Sequence, residues 1–124
     1  MLASAPITSL VGTVKPELAK AFYGDTLGLK FISDDGFALV FEGKNARVRV
    51  SRVPGVTPPA YAVLAFTVDD IEAAVDGLTA KGVVFARYGF FVQDVRGIWS
   101  APDGTKVAWF HDPDLNLLSV VQHV

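Results

Sequence analysis

Two apolar rhythms alternate along this chain. From Ile7 to Val14, "ITSLVGTV", β-branched residues dominate and a strand is predicted. The next stretch, "VKPELAKAFYGDTLGLKF" (14–31), changes period. Leu18, Ala21 and Phe22 recur at helical spacing, Pro16 suits a first turn, and Gly28 suits a left-handed cap. The same sequence of signals returns in "VDDIEAAVDGLTAKGVVF" (68–85). There Asp69 and Glu72 read as a capping pair, Ile71, Ala74, Val75 and Leu78 line one face, and Gly82 closes the helix. The two stretches align without a gap, each is preceded by a strand-like run, and a new strand is expected after each glycine.

The strands that follow alternate cleanly. "GFALVFEG" and "ARVRVSRV" flank the polar turn "EGKN", which predicts a hairpin. Along the second of these, Val48 and Val50 fall on one face and Arg47, Arg49 and Ser51 on the other. The later half offers "YAVLAFTV" before its helix and "TKVAWFH" and "NLLSVVQ" after it. A longer irregular stretch, "RYGFFVQDVRGIWSAPDG", intervenes. The chain therefore reads as an α+β fold of two βαβββ modules, about 7–53 and 60–122, in one domain spanning 1–124. The Pro- and Gly-rich "PGVTPPA" joins them.

Composition narrows the functional classes. With 124 residues, 51% of them hydrophobic and 19% charged, a packed core is expected and disorder is not. A net charge of −2 gives no electrostatic footprint for nucleic acid. The absence of cysteine excludes disulfides and thiol chemistry. "MLASAPITSLVGTV" has no charged leader region and no window reaches membrane-spanning length, so neither a signal peptide nor a membrane partner is expected. A cytoplasmic location is the default expectation.

The stretches "AFYGDTLGLKF", "AFTVDDIEAA" and "APDGTKVAWFHDPDLNLLSVVQ", together with the repeat, make the chain resemble the vicinal oxygen chelate superfamily. This group includes glyoxalase I, extradiol dioxygenases and bleomycin-resistance proteins. The resemblance implies paired modules curling into a cup for a small molecule, and a homodimer. Its metal-using members place four ligands in the cup. The matching positions here are Ser9, Arg49, Val63 and Ser119, the first and third on the gapless alignment of Val14 with Val68. Valine has no lone pair, arginine repels a cation, and a neutral hydroxyl is a poor ligand. No metal and no other cofactor is therefore expected. A further departure is Leu115, where the family's "DPDGN" turn has glycine; strain or a changed turn type is expected there.

The remaining chemistry is sparse. If Ser9, Val63 and Ser119 face the cup, so do Thr13, Ala65, Thr67, Leu117 and Val121. Arg47 and Arg49 are either anion-binding groups of the cup or edge charges paired with Glu42 or Asp34. Tyr88, Phe90, Phe91 and Trp99 concentrate aromatic faces in the inserted stretch, as binding surface, core or dimer interface. Trp109, in a regular strand, reads as structural. His111 with Asp112 and Asp114 reads as a plain turn, and His123 lies at the chain end. The leading expectation is a metal-independent small-molecule-binding protein of the bleomycin-resistance type. Its ligand, aromatic or anionic, would be held by Ser9, Arg47, Arg49, Val63, Phe91, Trp99 and Ser119. The alternative is an enzyme of the same superfamily: an isomerase or lyase using Asp94 or Tyr88, or a metalloenzyme with its ligands at other positions. A third possibility is a structural protein whose cup is filled by its own rings.

Overall fold

The computed structural model describes all 124 residues, which divide into two compact units, 1–57 and 58–124. The fold is α+β, each unit carrying a four-stranded mixed sheet and one helix. No helix is long and apolar enough to cross a membrane.

In the first unit β1 (Thr8–Thr13) leads to α1 (Pro16–Ala21), then β2 (Lys30–Asp34), β3 (Ala38–Gly43) and β4 (Ala46–Arg52). The sheet order is β1-β4-β3-β2, with β1 parallel to β4 and the others antiparallel. Pro16 opens the helix where its missing N–H costs nothing, and the Thr13 hydroxyl accepts from the Lys15 N–H. The helix continues as a π-helical turn over Phe22–Thr26, closed by the Leu27 N–H on the Phe22 carbonyl at 2.9 Å. Phe41 and Leu39 of β3, with Val48 and Val50 of β4, lie on the helix side and are buried. The fully buried Tyr23 packs its ring on Phe41, with centroids 5.8 Å apart. Each such side chain contributes about 1.5–3 kcal/mol by leaving water.

In the second unit β5 (Leu64–Thr67) leads to α2 (Ile71–Ala80), then β6 (Trp99–Ser100), β7 (Lys106–His111) and β8 (Leu117–Gln122). The order β5-β8-β7-β6 repeats the first sheet, with β5 parallel to β8. The helix cap is Asp70, not the expected Asp69: its carboxylate accepts from the Ala73 N–H at 3.1 Å. The Gln122 side chain of β8 accepts from the Ile71 N–H, tying helix to sheet. Ile71 and Val75 are buried on the face toward Ala108, Phe110, Leu118 and Val120.

Two expectations need correction. Both helices end at glycines with positive φ, Gly28 at 76° and Gly82 at 94°. From Pro16 to Gly28, however, there is one residue more than from Ile71 to Gly82. The π-helical turn absorbs that residue, so the gapless alignment holds at the glycines and slips by one before the helices. Secondly, no regular strand follows Gly82. Ala86 donates one backbone hydrogen bond to Trp109, and the Gln93 side chain supplies the other partners. It donates to the Ala86 and Gly97 carbonyls and accepts from the Tyr88 N–H, at 2.8–2.9 Å.

The turn before β8 keeps the expected register despite Leu115, which takes φ +67°. The buried Asp112 holds it. One carboxylate oxygen accepts from the Asp114 and Asn116 N–H groups, and the other accepts from the Asn116 side chain. Both oxygens of Asp112 are thus engaged in the turn itself.

Candidate functional site: an aromatic cleft in the second unit

Strand register assigns every candidate residue to a face, because laterally paired residues point the same way. In the first unit Ser9 pairs with Val48 and Val11 with Val50. Ser9 and Thr13 therefore lie on the helix side, contrary to expectation. Thr8 and Leu10, paired with Arg47 and Arg49, occupy the opposite face. Allowing for the extra residue in the π-helical turn, Thr8 and not Ser9 corresponds to Val63. In the second unit Val63 donates its N–H to the Leu117 carbonyl, and Ala65 and Trp109 flank Ser119. Ala65, Trp109 and Ser119 therefore share the face opposite the helix.

The side chains at the four positions that the resemblance assigned to a metal do not suit one. Val63 offers no donor atom. Arg49 is ion-paired with Asp35 at 3.1 Å. Ser119 is 3% exposed and directs its hydroxyl at the Leu64 carbonyl, 3.5 Å away. Neither Thr8 nor Ser9 adds more than a neutral hydroxyl. Nowhere do three His, Asp or Glu side chains gather in a way that could hold a metal.

The arginines of β4 have acidic partners in their own unit. Arg47 pairs with Glu42 at 3.5 Å, and Arg49 with Asp35, one residue beyond the expected Asp34. Asp34 is instead gripped by both terminal nitrogens of Arg52, at 2.7 and 2.9 Å. That bond, aided by the Gly36 N–H, holds the Asp34 carboxyl at about 2. Thr8, Glu42 and Arg47 border a cleft of about 260 Å³ together with Pro6, Ile7 and Asn45.

The larger opening, about 580 Å³, belongs to the second unit. It is lined by Phe90, Phe91, Val92, Gln93, Asp94, Ile98, Trp99 and Ser100. Phe91 and Trp99, separately singled out in the sequence, meet with centroids 4.7 Å apart. Phe91 also stacks on Trp109, at 5.2 Å with 4° between planes, and Tyr88 meets Trp109 edge-on. Trp109, read as structural from its strand position, thus belongs to the ring cluster. The available signal was its alternation with the outward face of β7, which only the pairing with Ser119 makes plain.

The segment carrying these rings is held by polar clasps. Besides Gln93, the Asp94 carboxylate accepts from the Arg96 and Ile98 N–H groups. Arg87 donates to the carbonyls of Asp94 and Val95, and Arg96 binds Asp76 of α2 through two nitrogens. Burial pushes the Tyr88 hydroxyl above its ordinary pKa, which suits a hydrogen-bond donor better than a base. Asp94 already spends one oxygen on the turn. The cleft is built for stacking more than for proton transfer.

A family model described as Glyoxalase/Bleomycin resistance protein/Dioxygenase superfamily matches residues 10–120. A comparison with curated proteins finds no significant match. Among solved structures, a superfamily member from Sphaerobacter thermophilus DSM 20745 is similar at a TM-score of 0.76. It shares 21% identity, over 99% of this chain and 100% of that one. TnmS3, an antibiotic binding protein from Streptomyces sp. CB03234, is similar at 0.72 with 22% identity, over 100% and 99%. A lactoylglutathione lyase from Agrobacterium tumefaciens is similar at 0.70 with 18% identity, over 96% and 93%. At these identities the likeness is one of fold.

Proposed function

Since the chain belongs to the glyoxalase/bleomycin resistance protein/dioxygenase superfamily, we propose that it binds a planar small molecule in the aromatic cleft, without a metal. The observation that carries this reading is the cleft of about 580 Å³ bordered by Phe91 and Trp99, with Phe91 backed by the parallel ring of Trp109. A planar ligand laid on these rings gains stacking contact beyond its buried area, about 0.5–1.5 kcal/mol for each aromatic pair. The donor chemistry at Val63, Arg49 and Ser119 supports binding that needs no metal, and the antibiotic binding protein of similar fold fits a sequestering role. Arg47 and Arg49, paired with Glu42 and Asp35, take a secondary part. Ser119 acts as support behind Trp109, and Ser9 as a helix-side residue with no ligand contact. The working form is a homodimer, a reading supported by the 70% exposed Leu10 on the edge strand β1 and tested by sedimentation.

Both tryptophans of the chain lie in the cluster, so their emission reports on it directly. Titration with a panel of planar aromatic compounds should give saturable quenching, weakened about 3- to 10-fold by Phe91→Ala. No saturable change with any member of the panel would overturn the reading. Near-stoichiometric metal in the purified protein would overturn its metal-free part.

A further inference from the structure

We infer that the aromatic cleft selects planar cations over neutral or anionic rings of the same shape, with Asp94 as the discriminating residue. The inference rests on reading that cleft as the ligand site and goes on to its charge. Of the side chains that line it, Asp94 is the sole charged one; the rest are the three rings Phe90, Phe91 and Trp99, two aliphatic side chains, a glutamine and a serine. Gln93 already has both its ends engaged by backbone groups, leaving it little capacity to answer a ligand's polar atoms.

Two guanidinium groups stand near: both spend their hydrogen bonds on other acceptors, although the Arg96 charge still feels the Asp94 carboxylate as the last and weakest of its partners. Arg87 donates to the carbonyls of Asp94 and Val95, at 2.7 and 2.6 Å. Arg96 holds Asp76 at 2.9 Å and Glu72 at 3.6 Å. Neither lines the cleft. The neighbourhood therefore sets two guanidiniums against three carboxylates, and the carboxylate facing the cleft is Asp94. The faces of the aromatic rings carry negative quadrupole charge as well, so a cation is attracted by rings and carboxylate alike. An anion meets both with the wrong sign and finds no lining cation to pair with. Arg47 and Arg49, which suggested an anionic ligand, are not among the residues that line this cleft and are ion-paired with Glu42 and Asp35.

The test uses one ring system in three charge states near neutral pH: 9-aminoacridine as cation, acridine as neutral ring, and acridine-9-carboxylate as anion. Affinities for the full chain are measured by equilibrium dialysis at low and high salt. The cation should bind about 3- to 5-fold more tightly than acridine, and the anion more weakly than either. Salt should weaken the cation alone. Asp94→Asn keeps the oxygen that accepts from Arg96 and Ile98, so the segment stays folded. It should bring the cation down to the affinity that the same variant has for acridine. Equal binding of all three, or a preference for the anion, would overturn the charge inference and leave the cleft as a ligand site. If none of the three binds, the cleft reading falls, and the charge inference with it.

Discussion

Replacing Leu115 with glycine isolates the backbone strain of the turn that sets β8 in register. Leu115 sits at φ +67°, where a Cβ crowds the following carbonyl at a cost of about 1–2 kcal/mol. Its side chain is 66% exposed. Unfolded chains already bury part of their apolar surface, so this leucine gains little apolar burial on folding. Glycine removes the clash but has more freedom to lose, about 0.5–1 kcal/mol. The balance is a gain of about 0.5–1 kcal/mol, or roughly 2–5 °C in Tm for a chain of this size. Paired urea and thermal melts of Leu115→Gly and Leu115→Ala measure it. Alanine keeps the Cβ and hence the strain, so it should stay near the parent. A glycine variant no more stable than the parent, or an alanine variant as stable as the glycine one, would refute the reasoning.

Other perturbations probe the remaining supports. Asp112→Ala strips partners from two backbone N–H groups and the Asn116 side chain in a buried turn, and should cost about 2–4 kcal/mol in urea denaturation. Gln93→Ala removes the clasp of the aromatic segment, so the Tyr88 amide, now without its acceptor, should exchange roughly tenfold faster or more in hydrogen-exchange experiments, while global stability falls less. The Asp34 carboxyl is held at about 2 against an ordinary 3.8. The stability it contributes is present above the ordinary value and is lost as pH falls from about 4 to about 2. Arg52→Met should therefore flatten the fall in urea midpoint across that range, and high salt should mute the effect in the parent.

Much of the fold is legible in the chain because it rests on local rules. Alternation separates Val48 and Val50 from Arg47 and Arg49, and the sheet register keeps them on opposite faces. Pro16, Gly28 and Gly82 mark helix limits through φ alone, and "DPDLN" forms its turn even with leucine at the strained position, because Asp112 supplies the bonds. Phe91 and Trp99 are visible as an aromatic concentration before their contact is known.

What stayed hidden depends on distant partners. One extra residue, taken up in the π-helical turn over Phe22–Thr26, moved Ser9 to the helix side and put Thr8 in the place that corresponds to Val63. A sequence alignment anchored on the glycines cannot see where a helix stores an extra residue. The strand expected after Gly82 lost to side-chain bonding by Gln93, and Asp35 rather than Asp34 took Arg49 because Arg52 already held Asp34. Trp109 read only as structural until the pairing of β7 with β8 set it beside Ser119, and the inserted segment laid Phe91 against it. The sequence by itself determined both helices, the β3–β4 hairpin and the two faces of β4, because period, proline and glycine act over a few residues. The tertiary structure alone decided which side chains meet, because that choice is made by competition among partners far apart in the chain.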